Sequence, residues 1–374
     1  MNSLRIGRFV ILMIVMGLTG CRHFGSRALM NDRISYNDAI LTSWKTQTLL
    51  NIVRFRYNDL PEFVEISTIT NGYEQSHSGT GTFGAGLFPN DIQDVFSFGL
   101  AGSRTVADRP TLQYAPQTGA VFTRDFTTPL TPIALLNQIE AGASADTIFD
   151  MGLESINGVP NAQFKGGKAT LTDPRFTRAI ETLEKARAKG YLRFNLRSEE
   201  AKSAEEAEKT NQSQELFLKF VPEFEVPQRD FDLEIALNQM WTDLNLDHHT
   251  REFKVVTGLH PQKNKPNEIA LSTRSVFRIM TFLALNVQVP VNHLADGRAV
   301  DLSYWRDDDP PITIFSGYEP PCDSFASVQY QGCWFWINWN DVESKRSMLY
   351  LRILLALADT EKRVSAAALT IRAN

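Results

Sequence analysis

The hydrophobic and polar positions of the chain follow two periods, and each period predicts its own kind of element. Apolar residues three and four apart predict amphipathic helices at 35–56, 132–141, 174–189, 230–244, 272–287 and 341–358. Alternation and β-branched runs predict strands at 63–70, 191–196, 215–221, 253–257, 312–315, 326–330 and 333–339. Because the two kinds interleave irregularly and hairpin turns are frequent, the pattern predicts an α+β fold with mixed, largely antiparallel sheets and packed helices.

A glycine-rich stretch at 78–105 contains two runs in which successive residues alternate between two faces of a strand. In Ser78–Leu87, Phe83 shares one face with glycine and alanine positions, and in Val95–Thr105, Phe98 shares one face with its apolar neighbours. A turn-rich segment separates the two, so the stretch predicts a two-faced hairpin with strands of about ten residues. A second hairpin is predicted directly after it, from strands at 111–114 and 121–126.

The sharpest change of composition lies at residues 198–214, which contain no large apolar side chain. Such a segment cannot bury a core face, so it predicts a solvated linker or insertion. The prediction therefore divides the chain into an N-terminal α+β domain at 35–197, which includes the 78–105 hairpin, and a C-terminal α+β domain at 215–374.

The N-terminus has the parts of a secretory signal. Two arginines, Arg5 and Arg8, precede an uncharged apolar run at Phe9–Leu18. A helix of that length measures about 15 Å, half of a bilayer core, which is too short for a stable span. The run leads directly into Leu18-Thr19-Gly20-Cys21.

These four residues, Leu18, Thr19, Gly20 and Cys21, resemble the lipobox of bacterial lipoproteins. The resemblance implies that residues 1–20 are a signal peptide, that acyl chains are attached to Cys21, and that 21–34 form a tether. Arg22, rather than Asp, follows the cysteine. In a two-membrane host this implies the outer membrane, with the protein on its periplasmic face. Several acyl chains anchor far more firmly than one chain, which binds only reversibly.

The mature chain is also similar to a group of predicted bacterial lipoproteins. The similar segments are Asp108-Arg109-Pro110, Leu271 to Ser275, and Tyr330 to Lys345. That group has no established activity, so the resemblance implies no molecular function.

Composition excludes some partners. The formal net charge is −5, with 43% hydrophobic and 22% charged residues, which are ordinary values for a globular protein. An acidic chain without a basic stripe predicts no nucleic-acid partner. The expected partners are the membrane, through the lipid anchor, and envelope proteins, while any small-molecule ligand stays unknown.

The sequence does not decide whether the two other cysteines, Cys322 and Cys333, form a disulfide. The periplasm permits one, and closing this loop would contribute about 3 kcal/mol. However, a turn at Gln331-Gly332 would place Tyr330 opposite Cys333 and carry Cys322 away from its proposed partner.

Three groups of residues suggest a metal or cofactor, and each has a simpler interpretation. His248 and His249 are adjacent and would point to opposite faces of a strand, with His260 farther on. Asp307-Asp308-Asp309 lacks the spacing of a calcium loop and fits a solvated turn. The Gly79-x-Gly81-x-x-Gly84 spacing resembles a dinucleotide fingerprint but lies inside an alternating strand. We therefore predict neither a metal nor a cofactor.

Two further groups suggest a ligand. A helix start at Ser272, with Arg274 and Ser275 nearby, could hold an anion, although Ser272 as a plain N-cap explains the same residues. Tryptophans in Cys333–Trp339 could stack on sugar or peptide, but apolar residues on both faces favour a buried strand. These tryptophans are Trp334, Trp336 and Trp339.

The sequence therefore predicts a non-catalytic lipoprotein, anchored to the outer membrane, that acts as an interaction or assembly factor of the envelope. Two alternatives remain. One is an oligomeric pore or secretion-channel subunit that uses the 78–105 hairpin, because strands of about ten residues suit a membrane barrel. The other is a periplasmic hydrolase whose catalytic residues are scattered along the chain.

Overall fold

The computed structural model describes two compact units. Its described residues are 24–84, 97–165, 167–198, 214–222, 225–226, 228–262, 265–305 and 310–366, with the backbone alone in 24–32, 67–84, 97–112, 198, 214 and 359–366. The smaller unit is Glu62–Thr118, and the remainder of the described chain forms the larger one.

The larger unit is an α+β assembly. Its helices are α1 (Phe24–Arg56), α2 (Gly119–Thr127), α3 (Pro132–Glu140), α4 (Ala145–Gly152), α5 (Pro174–Ala188), α6 (Phe231–Asp243), α7 (Val276–Leu283), α8 (Val291–Ala295) and α9 (Val342–Ala366). Its strands are β3 (Leu153–Ile156), β4 (Val159–Pro160), β5 (Gln163–Lys165), β6 (Lys168–Thr170), β7 (Leu192–Ser198), β8 (Gln214–Phe220), β9 (Glu252–Thr257), β10 (Glu268–Thr273), β11 (Phe315–Gly317), β12 (Ser324–Tyr330) and β13 (Cys333–Asn338). The smaller unit holds β1 (Val64–Gly84) and β2 (Ser97–Pro116).

The main sheet of the larger unit has six strands in the order β4-β3-β10-β9-β8-β7. Its strands pair antiparallel except β9 and β10, which run parallel. A smaller sheet has the order β11-β13-β12, and both of its pairings are antiparallel. The predicted fold class, α+β with mixed and largely antiparallel sheets, is therefore confirmed.

The structure divides the chain elsewhere than the predicted boundary at 198–214. The strands on either side of that segment are neighbours, with Leu192 opposite Phe220 and Ser198 opposite Gln214. The domains expected at 35–197 and 215–374 thus share one sheet. A polar segment that connects two paired strands can have the same composition as a linker between two domains. Composition alone therefore did not distinguish the two cases.

Local capping chemistry identified several helices. The Thr131 hydroxyl accepts a hydrogen bond from the Ala134 amide at 3.2 Å, and the Asp173 carboxylate accepts one from the Arg175 amide at 2.9 Å. A proline follows each of these caps, in the first turn of α3 and α5. Such caps satisfy amides that the first turn leaves unpaired, so they mark a helix start from sequence alone.

Two predicted helix starts were wrong. Helix α1 begins at Phe24 rather than at Ser35, so residues 24–34 of the predicted tether are helical, while 21–23 lie outside the described residues. The helix expected from Ser272 begins at Val276, because β10 extends to Thr273 and Ser275 is the cap. Pairing of β10 with its neighbours in the sheet outweighed the capping signal of Ser272.

The predicted second hairpin was also wrong. Residues 111–116 continue β2 and pair with the start of β1, while 119–127 form helix α2. Phe122 and Phe126 stack in that helix with ring centroids 5.4 Å apart. The spacing of four residues between them fits a helical face and was mistaken for part of a strand.

A buried arginine joins the sheet to the helices. Arg274 follows β10, is 2% exposed, and lies 4.0 Å above the Phe282 ring. Its guanidinium donates hydrogen bonds to three main-chain carbonyl oxygens, those of Asp150 at 2.5 Å, Met151 at 3.1 Å and Ala162 at 2.5 Å. Burial lowers the pKa of Arg274 to about 10, so the group stays charged at neutral pH.

We expect Arg274→Met to lower the free energy of unfolding by about 3–5 kcal/mol, because three buried carbonyls lose their donor. Arg274→Lys should lose a similar amount, since one ammonium cannot reproduce a planar guanidinium. Urea denaturation measures both values. The control is Arg346→Met, which removes only an exposed pair with Glu343 and should cost below about 1 kcal/mol. Equal losses in Arg274→Met and the control would contradict this role.

Candidate functional site

The smaller unit is one long antiparallel hairpin. Strand β1 has 21 residues and β2 has 20, and they pair from Val64 opposite Pro116 to Gly84 opposite Ser97. The hairpin that the alternation predicted at 78–105 is present in its described residues, while 85–96 lie outside them, and its strands are about twice the expected ten residues. At about 3.3 Å per residue, each strand spans roughly 65 Å. Asn71, which is polar, and Pro110, which is rare inside strands, interrupt the alternation, so the sequence pattern did not indicate this continuation.

The register places the apolar positions of both strands together. Phe83 is opposite Phe98, and Gly81 is opposite Leu100. Because paired positions share a face, this face carries the apolar positions of both strands at the far end of the hairpin. The intervening positions form the other face, which is small and polar. Its pairs include Ser78 with Ser103, Thr80 with Ala101, and Thr82 with Gly99.

The outer edges of this hairpin have no strand partner among the described residues. Within the described ranges, β1 and β2 pair with each other and with no other strand. The outer row of amide and carbonyl groups on each strand is therefore a template for a further strand. A two-stranded ribbon is marginally stable in water by itself, so additional strand partners would stabilise it.

A buried cluster in the larger unit combines a thiol, an imidazole and a phenol. The Tyr57 hydroxyl lies 2.7 Å from His293 Nδ1, and Cys333 Sγ lies 3.5 Å from His293 Nε2. His293 and Cys333 are each 1% exposed. The cluster joins the end of α1 to α8 and to β13. Beside it, the Tyr330 hydroxyl donates to Asp59 Oδ2 at 2.7 Å.

The electrostatics of this cluster do not favour a cysteine nucleophile. Burial raises the pKa of the Cys333 thiol and lowers the pKa of His293, which the cation of Arg298 lowers further. Both groups are therefore held neutral, whereas nucleophilic catalysis needs the thiolate. This contact could not be predicted, because 40 positions separate His293 from Cys333 and no motif links them.

The structure separates the two cysteines that the sequence considered as a pair. Cys322 is exposed, Cys333 is buried, and both thiols are free. The turn at Gln331-Gly332 brings Tyr330 opposite Cys333, as predicted. Both turn residues have positive φ, 47° and 83°, which is the geometry of a two-residue hairpin turn.

The anion site proposed at Ser272, Arg274 and Ser275 is not assembled. Ser272 lies within β10, and the Arg274 guanidinium is directed to main-chain carbonyls inside the core. The Ser275 hydroxyl accepts a hydrogen bond from the Arg278 amide at 3.3 Å, as an ordinary helix cap does.

The other residues considered for ligands are spread over the molecule. His248, His249 and His260 are exposed, and no group of three or more metal-ligating side chains occurs in the described part of the chain. Trp334 and Trp336 lie on the half-buried face of β13, while Trp339 is 53% exposed. The buried face of β13 carries Cys333, Phe335 and Ile337.

Some predicted sites lie outside the described residues. They are Leu18, Thr19, Gly20, Cys21 and Asp307 to Asp309. Gly79, Gly81 and Gly84 all lie in β1, which is the strand context that the alternation indicated. Among the helices that the structure describes, none combines the length and apolar character needed to cross a bilayer.

Comparison of the chain with protein-family models, with curated proteins and with solved structures finds no match.

The buried His293 predicts a pH-dependent stability. Its pKa is lowered in the folded protein, so the unfolded chain binds the proton more readily. The free energy of unfolding should therefore fall as pH drops below about 6.5, by at most about 1.4 kcal/mol per pH unit. Urea denaturation between about pH 7.5 and about pH 5.5 should show a smaller slope in His293→Gln than in wild type. His249→Gln, at an exposed position, should retain the wild-type slope. Identical slopes in all three proteins would show that His293 does not titrate in this way.

Proposed function

We propose that this protein is a non-catalytic assembly factor of the bacterial envelope, anchored through Cys21 to the periplasmic face of the outer membrane. In this proposal the Glu62–Thr118 hairpin binds other protein chains by strand pairing. The observation that carries it is the length of the hairpin, whose two strands pair over 20 positions and have no other strand partner in the part of the chain that the structure describes.

Strand pairing suits this unit for two reasons. Main-chain hydrogen bonds along an open edge provide affinity that is largely independent of side chains. The small residues at positions such as Ser78, Thr80 and Gly102 also allow close approach of a second backbone or sheet. The partner is another β-edge, either in a second copy of the chain or in another envelope protein.

The hairpin can be shortened without changing the register near its base. Ser78 and Ser103 are register partners, so an Asn-Gly turn can replace residues 79–102 and join them. We expect this variant to lose the higher-order assemblies of the wild type, measured by mass photometry and by crosslinking in membranes. The larger unit should unfold at an unchanged temperature. Retention of wild-type assemblies by the shortened chain would contradict the proposal.

The lipid anchor is tested separately. We expect the intact mass of the native chain to correspond to residues 21–374 with acyl chains on Cys21. Cys21→Ser should move the protein from the membrane fraction to the soluble fraction, while the assemblies formed through the hairpin persist. A native chain that is unlipidated and partitions into water would exclude the anchor without affecting the hairpin argument.

A pore or secretion-channel subunit is the second candidate. It is favoured by the alternation at the far end of the hairpin, where Phe83, Phe98 and Leu100 share one face and small polar positions form the other. A membrane barrel strand needs about 9–11 residues, which is half of each strand here. Several chains would each contribute one hairpin, because an open edge cannot exist in lipid.

The two candidates differ in one measurement. Full-length protein added to planar bilayers should produce conductance steps if it forms a pore, and the variant lacking residues 79–102 should produce none. Stable assemblies without conductance would reject the pore and retain the assembly role.

A further inference from the structure

A cavity lies at the carboxyl end of α1. Its volume is about 340 Å³. It is bounded by Arg56 at the end of α1, by the segment 285–289 that follows α7, by Leu294 of α8, and by 301–305. This volume lies within the range of small-molecule sites in proteins, about 300–1,000 Å³.

Three of the residues that line the cavity have buried donors without a hydrogen-bond partner in the described chain. The atoms are Nε and Nη1 of Arg56, Nδ2 of Asn286 and Nε1 of Trp305. Arg56 is 4% exposed, and its remaining nitrogen, Nη2, donates to the Val300 carbonyl at 2.8 Å. The guanidinium is therefore held in place by one bond while its other nitrogens are unused.

An unpaired buried donor is costly. Each neutral one costs about 1–3 kcal/mol, and a charged one costs more, so a native fold rarely collects several in one place. The unpaired atoms here are all donors, and two of them belong to the positively charged guanidinium of Arg56. Their complement is a group that has only acceptors and a negative charge.

The charged groups and the wall residues of the cavity indicate which class of ligand it would bind. Asp301 is the one acidic residue among the described residues that line it, and its carboxylate accepts from the Ser303 amide at 2.8 Å. The salt bridges of the described residues do not include Arg56; burial lowers the pKa of its guanidinium, and the charge of Asp301 partly opposes that shift. A single cation matches a singly charged anion better than a phosphate. The rest of the wall is largely aliphatic, formed by Leu285, Val287, Val289, Leu294 and Leu302.

We propose that this cavity binds a small organic carboxylate with an aliphatic body. Small shifts of the Arg56, Asn286 and Trp305 side chains would bring their unpaired donors to its oxygens, and its hydrocarbon part packs on the leucine and valine side chains. This site is independent of the hairpin and of the lipid anchor.

The first experiment compares two probes of the same shape. The full chain, purified in a non-ionic detergent, is titrated calorimetrically with hexanoate and with hexanamide at neutral pH. We expect hexanoate to bind at least about tenfold more tightly, because hydrogen bonds to charged groups are roughly twice as strong as neutral ones. Equal affinities, or no hexanoate binding at about 10 mM, would overturn the proposal, since even weak specific sites reach millimolar affinity.

Variants then assign the binding to this cavity. Arg56→Gln removes the charge and should weaken hexanoate binding at least about tenfold. Trp305→Phe deletes one donor with little change of shape and should weaken binding about two- to tenfold. Its matched control, Trp339→Phe, changes an exposed indole and should bind as wild type does. Unchanged affinity in Trp305→Phe would place the binding elsewhere.

A third variant keeps the test decisive if Arg56→Gln fails to fold. Asn286→Asp keeps the volume of the side chain and replaces a donor with a carboxylate. We expect this variant to lose measurable hexanoate binding, because two carboxylates would share the same donors. Wild-type affinity in Asn286→Asp would overturn the proposal.

Discussion

The larger unit depends on one guanidinium buried among main-chain carbonyls. Arg274 lies where β10 turns into α7, and its three acceptors come from segments more than 110 positions earlier in the chain. Those carbonyls lie at the end of α4 and after β4, where regular structure leaves acceptors unpaired. The same cation lies over Phe282 in α7. A single side chain therefore contacts the end of β10, helices α4 and α7, and the segment after β4. The position of each of these elements constrains the positions of the others.

Local chemistry made much of this fold predictable. Caps at Thr131 and Asp173, and the turn at Gln331-Gly332, depend on residues within a few positions of each other, so the sequence displays them. The start of α7 was harder to predict, because Ser272 and Ser275 are equally suitable helix caps. Only the pairing of β10 in the sheet selects Ser275. The contact of His293 with Cys333 and the donors around Arg56 were not predictable at all. They depend on side chains brought together from distant segments, for which no periodicity exists.

The two units are stabilised by different interactions. The larger unit buries aliphatic and aromatic side chains such as Phe176, Phe253 and Phe335 at no more than 1% exposure, and it adds satisfied polar contacts at a few interior points. The hairpin is a ladder of main-chain hydrogen bonds whose positions are mostly small or polar. Burial of apolar area gives the first its independent stability. The second needs neighbours to reach the same stability, which agrees with the proposed role in assembly.

The irregular step between Ile66 and Thr68 has a consequence for how the hairpin forms. Far from this step, glycine, serine and threonine occupy so many positions that a shift of two residues would leave both faces chemically similar. Register is thus specified mainly at the base, by the bulge and by Pro110, which cannot donate to a ladder. In the distal part of the two strands, neighbouring positions on one face carry residues of similar size and polarity. Such strands can exchange between copies of the chain without a mismatch of side chains. The residues that distinguish the correct pairing from a shifted or exchanged one therefore lie only at the base of the hairpin.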